Sequence, residues 1–161
     1  MARVLIVGCG CRGRMLAAGL AADGHAVRGT TRAEATLPEI EAAGAEAVLA
    51  DPDRLATLLP WLEGVSVICW LMGSAPSADL HGARLQSLIQ KIVDTPVRGV
   101  VYEAAGIVDP NLLEQGASIV RAAGDTHRIP LQLIEARPGD HDAWLAAGRA
   151  SVSRLLWHPS P

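Results

Sequence analysis

The chain has 161 residues, the size of one domain, and its 50% hydrophobic and 19% charged content excludes an intrinsically disordered protein. A net charge of −3 gives no general attraction to nucleic acid or anionic membranes. Four tryptophans, one tyrosine and no phenylalanine are few aromatic residues for a base-stacking surface. Three cysteines form no disulfide framework, and no histidine or further cysteine at metal-ligand spacing accompanies Cys9 and Cys11. No apolar run is long enough for a membrane span or signal peptide. We therefore expect one cytoplasmic domain, residues 1–161, without a metal.

Short β-branched segments alternate with longer helical patterns along the chain. The former predict strands, in chain order, over residues 3–7, 25–29, 46–50, 65–70, 98–102 and 130–135. The latter predict helices over residues 11–22, 37–43, 53–59, 77–93, 111–123 and 142–157. Apolar strands joined by helices are typical of a parallel sheet covered on both faces. Six such units predict an α/β doubly wound Rossmann fold, a single six-stranded parallel sheet of order 3-2-1-4-5-6 with helices on both faces.

Several helix boundaries carry local signals. Gly24 and Gly44 follow the first two helices, where glycine commonly ends a helix. Asp51 or Asp53 is expected to cap the third helix, and Asp140 the last.

A glycine-rich loop joins the first strand to the first helix. Gly8, Gly10 and Gly13 form a G-x-G-x-x-G pattern in a strand–loop–helix context. Gly8 permits the tight turn, Gly10 lets a pyrophosphate approach the backbone, and Gly13 lets the helix pack against the strand. The helix N-terminus, including Cys11 and Arg12, then presents free N–H groups to the phosphates. The loop therefore predicts a dinucleotide site, with a nucleotide-free glycine turn as the alternative.

The residues that follow the second strand indicate which dinucleotide is bound. NAD proteins usually place an acidic residue there for the ribose 2′-hydroxyl, but this chain has none between Asp23 and Glu34. Thr31 and Arg32 are instead expected to bind a 2′-phosphate, with Arg12 as a second candidate. NADP is therefore favoured over NAD, and the alternative is that Arg32 is a solvated loop residue.

The segment 4–32 resembles the opening of the atypical and extended short-chain dehydrogenase/reductases, a superfamily of NAD(P)-binding Rossmann proteins. Residues 51–55 and 62–68 resemble its third-strand aspartate, the following helix and the approach to strand four. The resemblance extends from residue 3 to about residue 106. It implies that Asp51 contacts the adenine ring and that the segment Leu71, Met72, Gly73 and Ser74 passes beneath the ribose and nicotinamide.

The chain departs from this superfamily where catalysis takes place. Catalytic members carry a serine or threonine after strand five and a Tyr-x-x-x-Lys pair, in which the lysine lowers the pKa of the tyrosine. Tyr102 is the one tyrosine, and Lys91, the one lysine, precedes it, so the pair is absent. Glu103, at the end of strand five, is a weak candidate for a general base, or else a cap. No separate substrate domain is expected.

Other side chains have two interpretations each. The thiol of Cys11 is either oxidisable at a helix N-terminus or small enough to leave space for phosphate. His81 is expected to be an exposed helical residue rather than one beside the nicotinamide, and Trp70 a core residue rather than part of the crevice. The apolar residues of the last helix are expected to pack on the sheet, although a homodimer stays open.

Two functions follow from these observations. The first is an NADP(H)-binding Rossmann protein that acts as a small reductase on an unknown small molecule, its proton coming from solvent or from Glu103. Quinone-like or conjugated acceptors suit this chemistry better than alcohols, whose alkoxide needs a proton partner. The second is a non-catalytic nucleotide-sensing or scaffolding protein that binds NADP(H) without turnover.

Overall fold

Six parallel strands form one sheet at the centre of the computed structural model, which describes residues 2–75 and 77–157. The strands are β1 (Arg3–Val7), β2 (Ala26–Thr31), β3 (Glu46–Leu49), β4 (Val67–Trp70), β5 (Gly99–Glu103) and β6 (Leu131–Ile134). All neighbours pair in parallel in the order β3-β2-β1-β4-β5-β6. The predicted Rossmann topology is confirmed.

Five α-helices cover the described sheet. They are α1 (Cys11–Ala22), α2 (Leu37–Ala42), α3 (Ala83–Ile92), α4 (Pro110–His127) and α5 (His141–Leu156). Helices α1, α2 and α5 pack on one face of the sheet, and α3 and α4 on the other. Gly24 and Gly44 have φ angles of +93° and +94° just beyond α1 and α2, and Asp140 accepts from the Ala143 N–H, so these predicted boundaries are confirmed.

The helix predicted over residues 53–59 does not form. Two 3-10 turns, Leu55–Thr57 and Leu59–Leu62, take its place. The Thr57 hydroxyl accepts from the Asp51 N–H at 2.8 Å, and the Asp51 carboxylate accepts from the Asp53 N–H at 2.9 Å. Such local side-chain partners compete with helical hydrogen bonds, so this short segment turns tightly instead.

The helix predicted over residues 77–93 is interrupted. A 3-10 turn, Ala78–His81, precedes Gly82, whose φ of −139° and ψ of −110° lie outside the helical region. Gln115 of α4 donates its side-chain N–H to the His81 carbonyl at 3.2 Å, which removes an acceptor that a continuous helix would use. A Cβ atom at position 82 would lie 2.7 Å from the Gln115 amide nitrogen, so glycine makes this close packing feasible.

Two hydrophobic clusters, one on each face, form the core. Trp70 and Tyr102 belong to the cluster beneath α3 and α4, and Trp144 of α5 belongs to the other. All three side chains are fully buried, as predicted for Trp70 and for the sheet-facing part of the last helix. Within residues 2–75 and 77–157 no helix combines the length and hydropathy needed to cross a bilayer.

The carboxyl ends of the parallel strands lie along one edge of the sheet, where the loops that follow them meet. The Cys9 N–H donates to the Thr30 carbonyl and the Leu71 N–H to the Val7 carbonyl, each at 3.0 Å. These bonds align the loops after β1, β2 and β4. In doubly wound sheets this edge, where the strand order reverses between β1 and β4, is the usual ligand site.

Candidate functional site

A cavity of about 470 Å³ opens at the carboxyl edge, over the ends of β1 to β4. Its lining residues are Gly8, Cys9, Gly10, Arg14, Thr30, Thr31, Arg32, Thr36, Ala50, Pro52, Asp53, Leu71, Met72, Ser74, Ala75, Ser77 and Leu80. This volume lies within the range of small-molecule sites. The predicted residues Gly8, Gly10, Thr31, Arg32, Leu71 and Met72 are among these, whereas Cys11, Arg12, Gly13, Asp51, Gly73 and Glu103 are not.

The glycine loop has the geometry that its pattern predicts. Gly8 has a φ of +87°, and a Cβ atom there would lie 2.5 Å from the Leu71 carbonyl oxygen. A Cβ atom at Gly13 would lie 3.0 Å from the Gly8 carbonyl, so α1 packs closely on the loop. The tight turn and the close packing are therefore confirmed. Gly10 has open space beside it, and the approach of a phosphate there stays a prediction.

The first turn of α1 suits an anion. Gly10 is the N-cap residue, no side chain caps the helix, and the first turn has no acidic residue. The N–H groups of Cys11 to Gly13 therefore lack side-chain acceptors at the positive end of the helix dipole. With the open space at Gly10, this arrangement fits a dinucleotide phosphate.

Two guanidinium groups line the cavity, one from Arg14 of α1 and one from Arg32, which follows β2. Arg32 is exposed and makes no hydrogen bond or ion pair within residues 2–75 and 77–157. Arg14 lies 3.5 Å from the mostly exposed carboxylate of Glu39, so this ion pair is weak. Two cations near a glycine loop, with no acid at the end of β2, form a suitable place for a 2′-phosphate.

Arg14, not the predicted Arg12, is the second arginine of the cavity. Successive helical residues rotate by about 100°, so these two side chains lie about 200° apart around α1. One of them can face the cavity, and the pattern did not reveal which. Helical periodicity does not distinguish them, because both flank Gly13, which lies on the buried face of α1.

The Arg12 side chain instead reaches Glu103 at the end of β5. Its Nε donates to Oε2 of Glu103 at 3.2 Å and its terminal N–H group to Oε1 at 3.4 Å. Its guanidinium carbon also lies 5.8 Å from the centre of the Trp144 ring, a cation–π contact. Arg12 therefore links α1, β5 and α5.

Glu103 is fully buried, and both of its carboxylate oxygens accept hydrogen bonds within the protein. The Gly73 N–H donates to its Oε1 at 2.7 Å, and the Trp144 indole N–H donates to its Oε2 at 2.9 Å. With the two bonds from Arg12, each carboxylate oxygen accepts twice. This carboxylate joins three chain segments and lines no part of the cavity in the described chain, so the geometry gives no support to its predicted role as a general base.

Local turns determine which of the remaining predicted residues line the cavity. Thr31 lines the cavity, and its hydroxyl accepts from the Ala33 N–H at 3.1 Å. Asp51 is held in the turn after β3, where its carboxylate accepts from the Asp53 N–H, so Asp53 and Pro52 line the cavity in its place. Gly73 is buried against the loop after β5.

The cysteine thiols have different surroundings. Burial raises the pKa of Cys9 to about 11, although the nearby Arg14 partly opposes this, and burial raises the pKa of Cys69 to about 12. Both thiols are therefore neutral at pH 7, and thiolates are the reactive form. Cys11 is exposed at the start of α1 but does not line the cavity.

Sequence reasoning missed several lining residues. Thr30 is buried at the end of β2, and its hydroxyl accepts from the Gly8 N–H at 3.3 Å. Ser77, in the loop after β4, adds a hydroxyl group to the wall beside that of Ser74, which the resemblance had already placed near the ligand. Loop residues lack a periodic signal, but their position after a central strand was available as an indication.

His81 and Tyr102 form a buried pair behind the cavity wall. The His81 Nδ1 lies 2.7 Å from the Tyr102 hydroxyl, and its Nε2 lies 3.3 Å from the Ala75 carbonyl. Because a carbonyl can only accept, we assign the proton to Nε2 and the Tyr102 hydroxyl as donor to Nδ1. Burial lowers the pKa of His81 and raises that of Tyr102. The expected exposed position of His81 is therefore wrong.

Mild acid is expected to destabilise the protein through His81. The unfolded chain binds this proton more readily, so the contribution is complete above about pH 6.5 and is lost as the pH falls below it, by up to ~1.4 kcal/mol per pH unit. Urea denaturation of the wild type and His81→Asn between pH 7.5 and 4.5 measures this. The variant keeps an acceptor for Tyr102 but should lose that part of the slope. Equal slopes would exclude His81 as the cause.

Comparisons of sequence and structure give different results. No protein-family model matches this sequence. No curated protein matches it either. Many solved structures match its fold, and the chain covers about half the length of the first of them.

Three of these structures illustrate the likeness. One is a protein from Aeromonas hydrophila described as a short chain dehydrogenase/reductase family oxidoreductase (TM-score 0.69, 15% identity, 100% of this chain and 94% of that chain). Another is the Citrobacter sp. triphenylmethane reductase complexed with NADP(H) (TM-score 0.64, 17% identity, 82% of this chain and 48% of that chain). The third is a Rossmann-fold NAD(P)-binding family protein from Shigella flexneri (TM-score 0.63, 18% identity, 83% of this chain and 66% of that chain). The chain is thus similar in fold to NAD(P)-binding Rossmann proteins that include reductases, as its resemblance to the short-chain dehydrogenase/reductases predicts.

Proposed function

We propose that this chain binds NADP(H) in the cavity at the carboxyl edge and prefers it to NAD(H). The observation that carries the proposal is that Arg14 and Arg32 both line the cavity together with Gly8 and Gly10 of the glycine loop. Two guanidinium groups recognise a phosphate better than a hydroxyl, because each supplies charge and several N–H donors. Thr31 and Asp53 also line the cavity and supply polar groups.

Different residues of this chain would bind different parts of the nucleotide. The loop around Gly10 and the N-terminus of α1 would hold the pyrophosphate, and Arg14 and Arg32 the 2′-phosphate. Leu71 and Met72 supply an apolar wall. When bound, NADPH supplies a hydride donor.

We infer that neither Tyr102 nor Glu103 transfers a proton to or from a bound ligand. Tyr102 and Glu103, the titratable residues at the end of β5, are both fully buried and hydrogen-bonded within the protein. A general acid must come within hydrogen-bond reach of the substrate, and neither side chain lines the cavity. This favours the nucleotide-sensing or scaffolding function.

A reductase for acceptors that need no protein proton donor is the second candidate. It is supported by the similar fold of the Citrobacter triphenylmethane reductase, whose solved structure contains NADP(H). The proton that such a reaction requires would come from solvent.

Calorimetric titration with NADPH and NADH tests the proposal. We expect micromolar binding of NADPH and at least tenfold weaker binding of NADH. NADPH oxidation is then followed at 340 nm with quinones, enones and triphenylmethane dyes. Turnover supports the reductase, whereas binding without turnover supports the sensor. No binding of either nucleotide would contradict the proposed function.

Replacing the arginines should alter nucleotide preference. Arg32→Ala is expected to weaken NADPH binding about tenfold and Arg14→Ala/Arg32→Ala about 100-fold, because each charge-assisted hydrogen bond contributes ~1.5–3 kcal/mol. NADH binding should change by less than about threefold. Arg121→Ala, on α4 and outside the cavity, controls for the loss of positive charge. Equal losses for both nucleotides would exclude the 2′-phosphate contact.

A further inference from the structure

The cavity lies over one part of the carboxyl edge, formed by the loops after β1 to β4. A doubly wound sheet consists of two mononucleotide-binding halves, β1 to β3 and β4 to β6, and a dinucleotide extends across both. In the described chain, the lining residues come from the first half and from the loop after β4, and none lies beyond Leu80. The loops after β5 and β6 therefore contribute no wall to the cavity.

Side chains close the crevice between β4 and β5. The Arg12 guanidinium extends from α1 to the buried Glu103, which also accepts from the Trp144 indole at 2.9 Å. Arg12 and Glu103 form an ion pair in which the Glu103 side chain is fully buried and the Arg12 side chain is 24% exposed. A ligand that entered here would have to break a buried ion pair, which is costly.

Backbone contacts close the same crevice from above. The Ile107 N–H donates to the Gly73 carbonyl at 2.9 Å, which joins the loop after β5 directly to the loop after β4. A Cβ atom at Gly73 would lie 2.5 Å from the Ala105 carbonyl oxygen, and one at Gly106 would overlap the Gly73 backbone. Loops this close leave no room for an aromatic ring between them.

We propose that the site recognises the 2′-phosphorylated adenosine part of its ligand and leaves the nicotinamide end outside the protein. This inference rests on the proposed NADP(H) function and narrows it. The recognised ligand class is then adenosine nucleotides that carry a 2′-phosphate, and the oxidation state of the nicotinamide has little influence on affinity.

Calorimetry with adenosine 2′,5′-bisphosphate, NADPH and NADP⁺ tests the inference on the wild-type chain. The three dissociation constants are expected to agree within about fivefold, since all share the recognised part. NADPH binding more than about 30-fold tighter than that of the bisphosphate would overturn the inference but leave the proposed function intact. No binding of any of the three would overturn both.

Nicotinamide fluorescence gives a second, independent readout. With the protein in excess, the emission of bound NADPH should keep the wavelength of free NADPH, and acrylamide should quench it to within about twofold as efficiently. A blue-shifted emission that is protected from acrylamide would place the ring in an enclosed site and overturn the inference.

Discussion

Glu103→Ala is expected to lower the free energy of unfolding by about 3–5 kcal/mol, the cost of removing one partner from a buried ion pair. Both carboxylate oxygens accept hydrogen bonds, from Arg12, from the Gly73 N–H and from the Trp144 indole. Arg12 can turn toward solvent after the change, but the Gly73 amide and the Trp144 indole cannot. Each of these donors is left buried without an acceptor, which costs ~1–3 kcal/mol.

Urea denaturation at pH 7.5 measures the loss. Glu114→Ala is the matched control, because Glu114 forms an exposed ion pair with Arg121, and it should change stability by less than about 1 kcal/mol. Glu103→Gln keeps one acceptor oxygen but turns an N–H group toward other donors, so we expect an intermediate loss. If Glu103→Ala were as stable as the control, the carboxylate would not be the structural link that its contacts indicate.

Gly8→Ala and Gly10→Ala are expected to separate folding from binding within one loop. Gly8 has a φ of +87°, and an added Cβ would lie 2.5 Å from the Leu71 carbonyl oxygen. We expect Gly8→Ala to lose about 2–4 kcal/mol of stability, from backbone strain and from overpacking. Gly10→Ala places its methyl group in open space and should cost about 1 kcal/mol or less, the cost of alanine at an N-cap.

Stability should be lowered more by Gly8→Ala, whereas NADPH affinity should be lowered directly by Gly10→Ala. Gly10 lines the cavity at the N-terminus of α1, so a methyl group there occupies space that a phosphate needs to reach the backbone N–H groups. We expect Gly10→Ala to weaken NADPH binding at least tenfold while the variant stays folded. Calorimetry measures the NADPH affinity of each variant, and thermal denaturation measures its stability. Unchanged NADPH binding in a folded Gly10→Ala variant would contradict the placement of the phosphate at this loop.

Local patterns were sufficient to predict the strand order and much of the site. The bounds of β1 and α1 were predicted to the residue, because a β-branched strand followed by a glycine loop and a helix is encoded in consecutive residues. The same local reasoning placed Gly8, Thr31 and Arg32 on the cavity wall. The absence of an acidic residue after β2 is likewise read directly from the chain, and it is one basis of the proposed preference for NADP.

Long-range contacts decided the rest. Arg12 and Glu103 are separated by 91 positions, and no periodicity within α1 or β5 indicates that they pair. The interruption at Gly82 depends on Gln115 of another helix, and the burial of His81 depends on Tyr102 of a strand. Which arginine of α1 faces the cavity, and whether Glu103 is free to act as a base, follow from packing between distant segments. Side-chain roles therefore depended on tertiary structure, because the partners that determine orientation and burial come together when the sheet and its helices assemble.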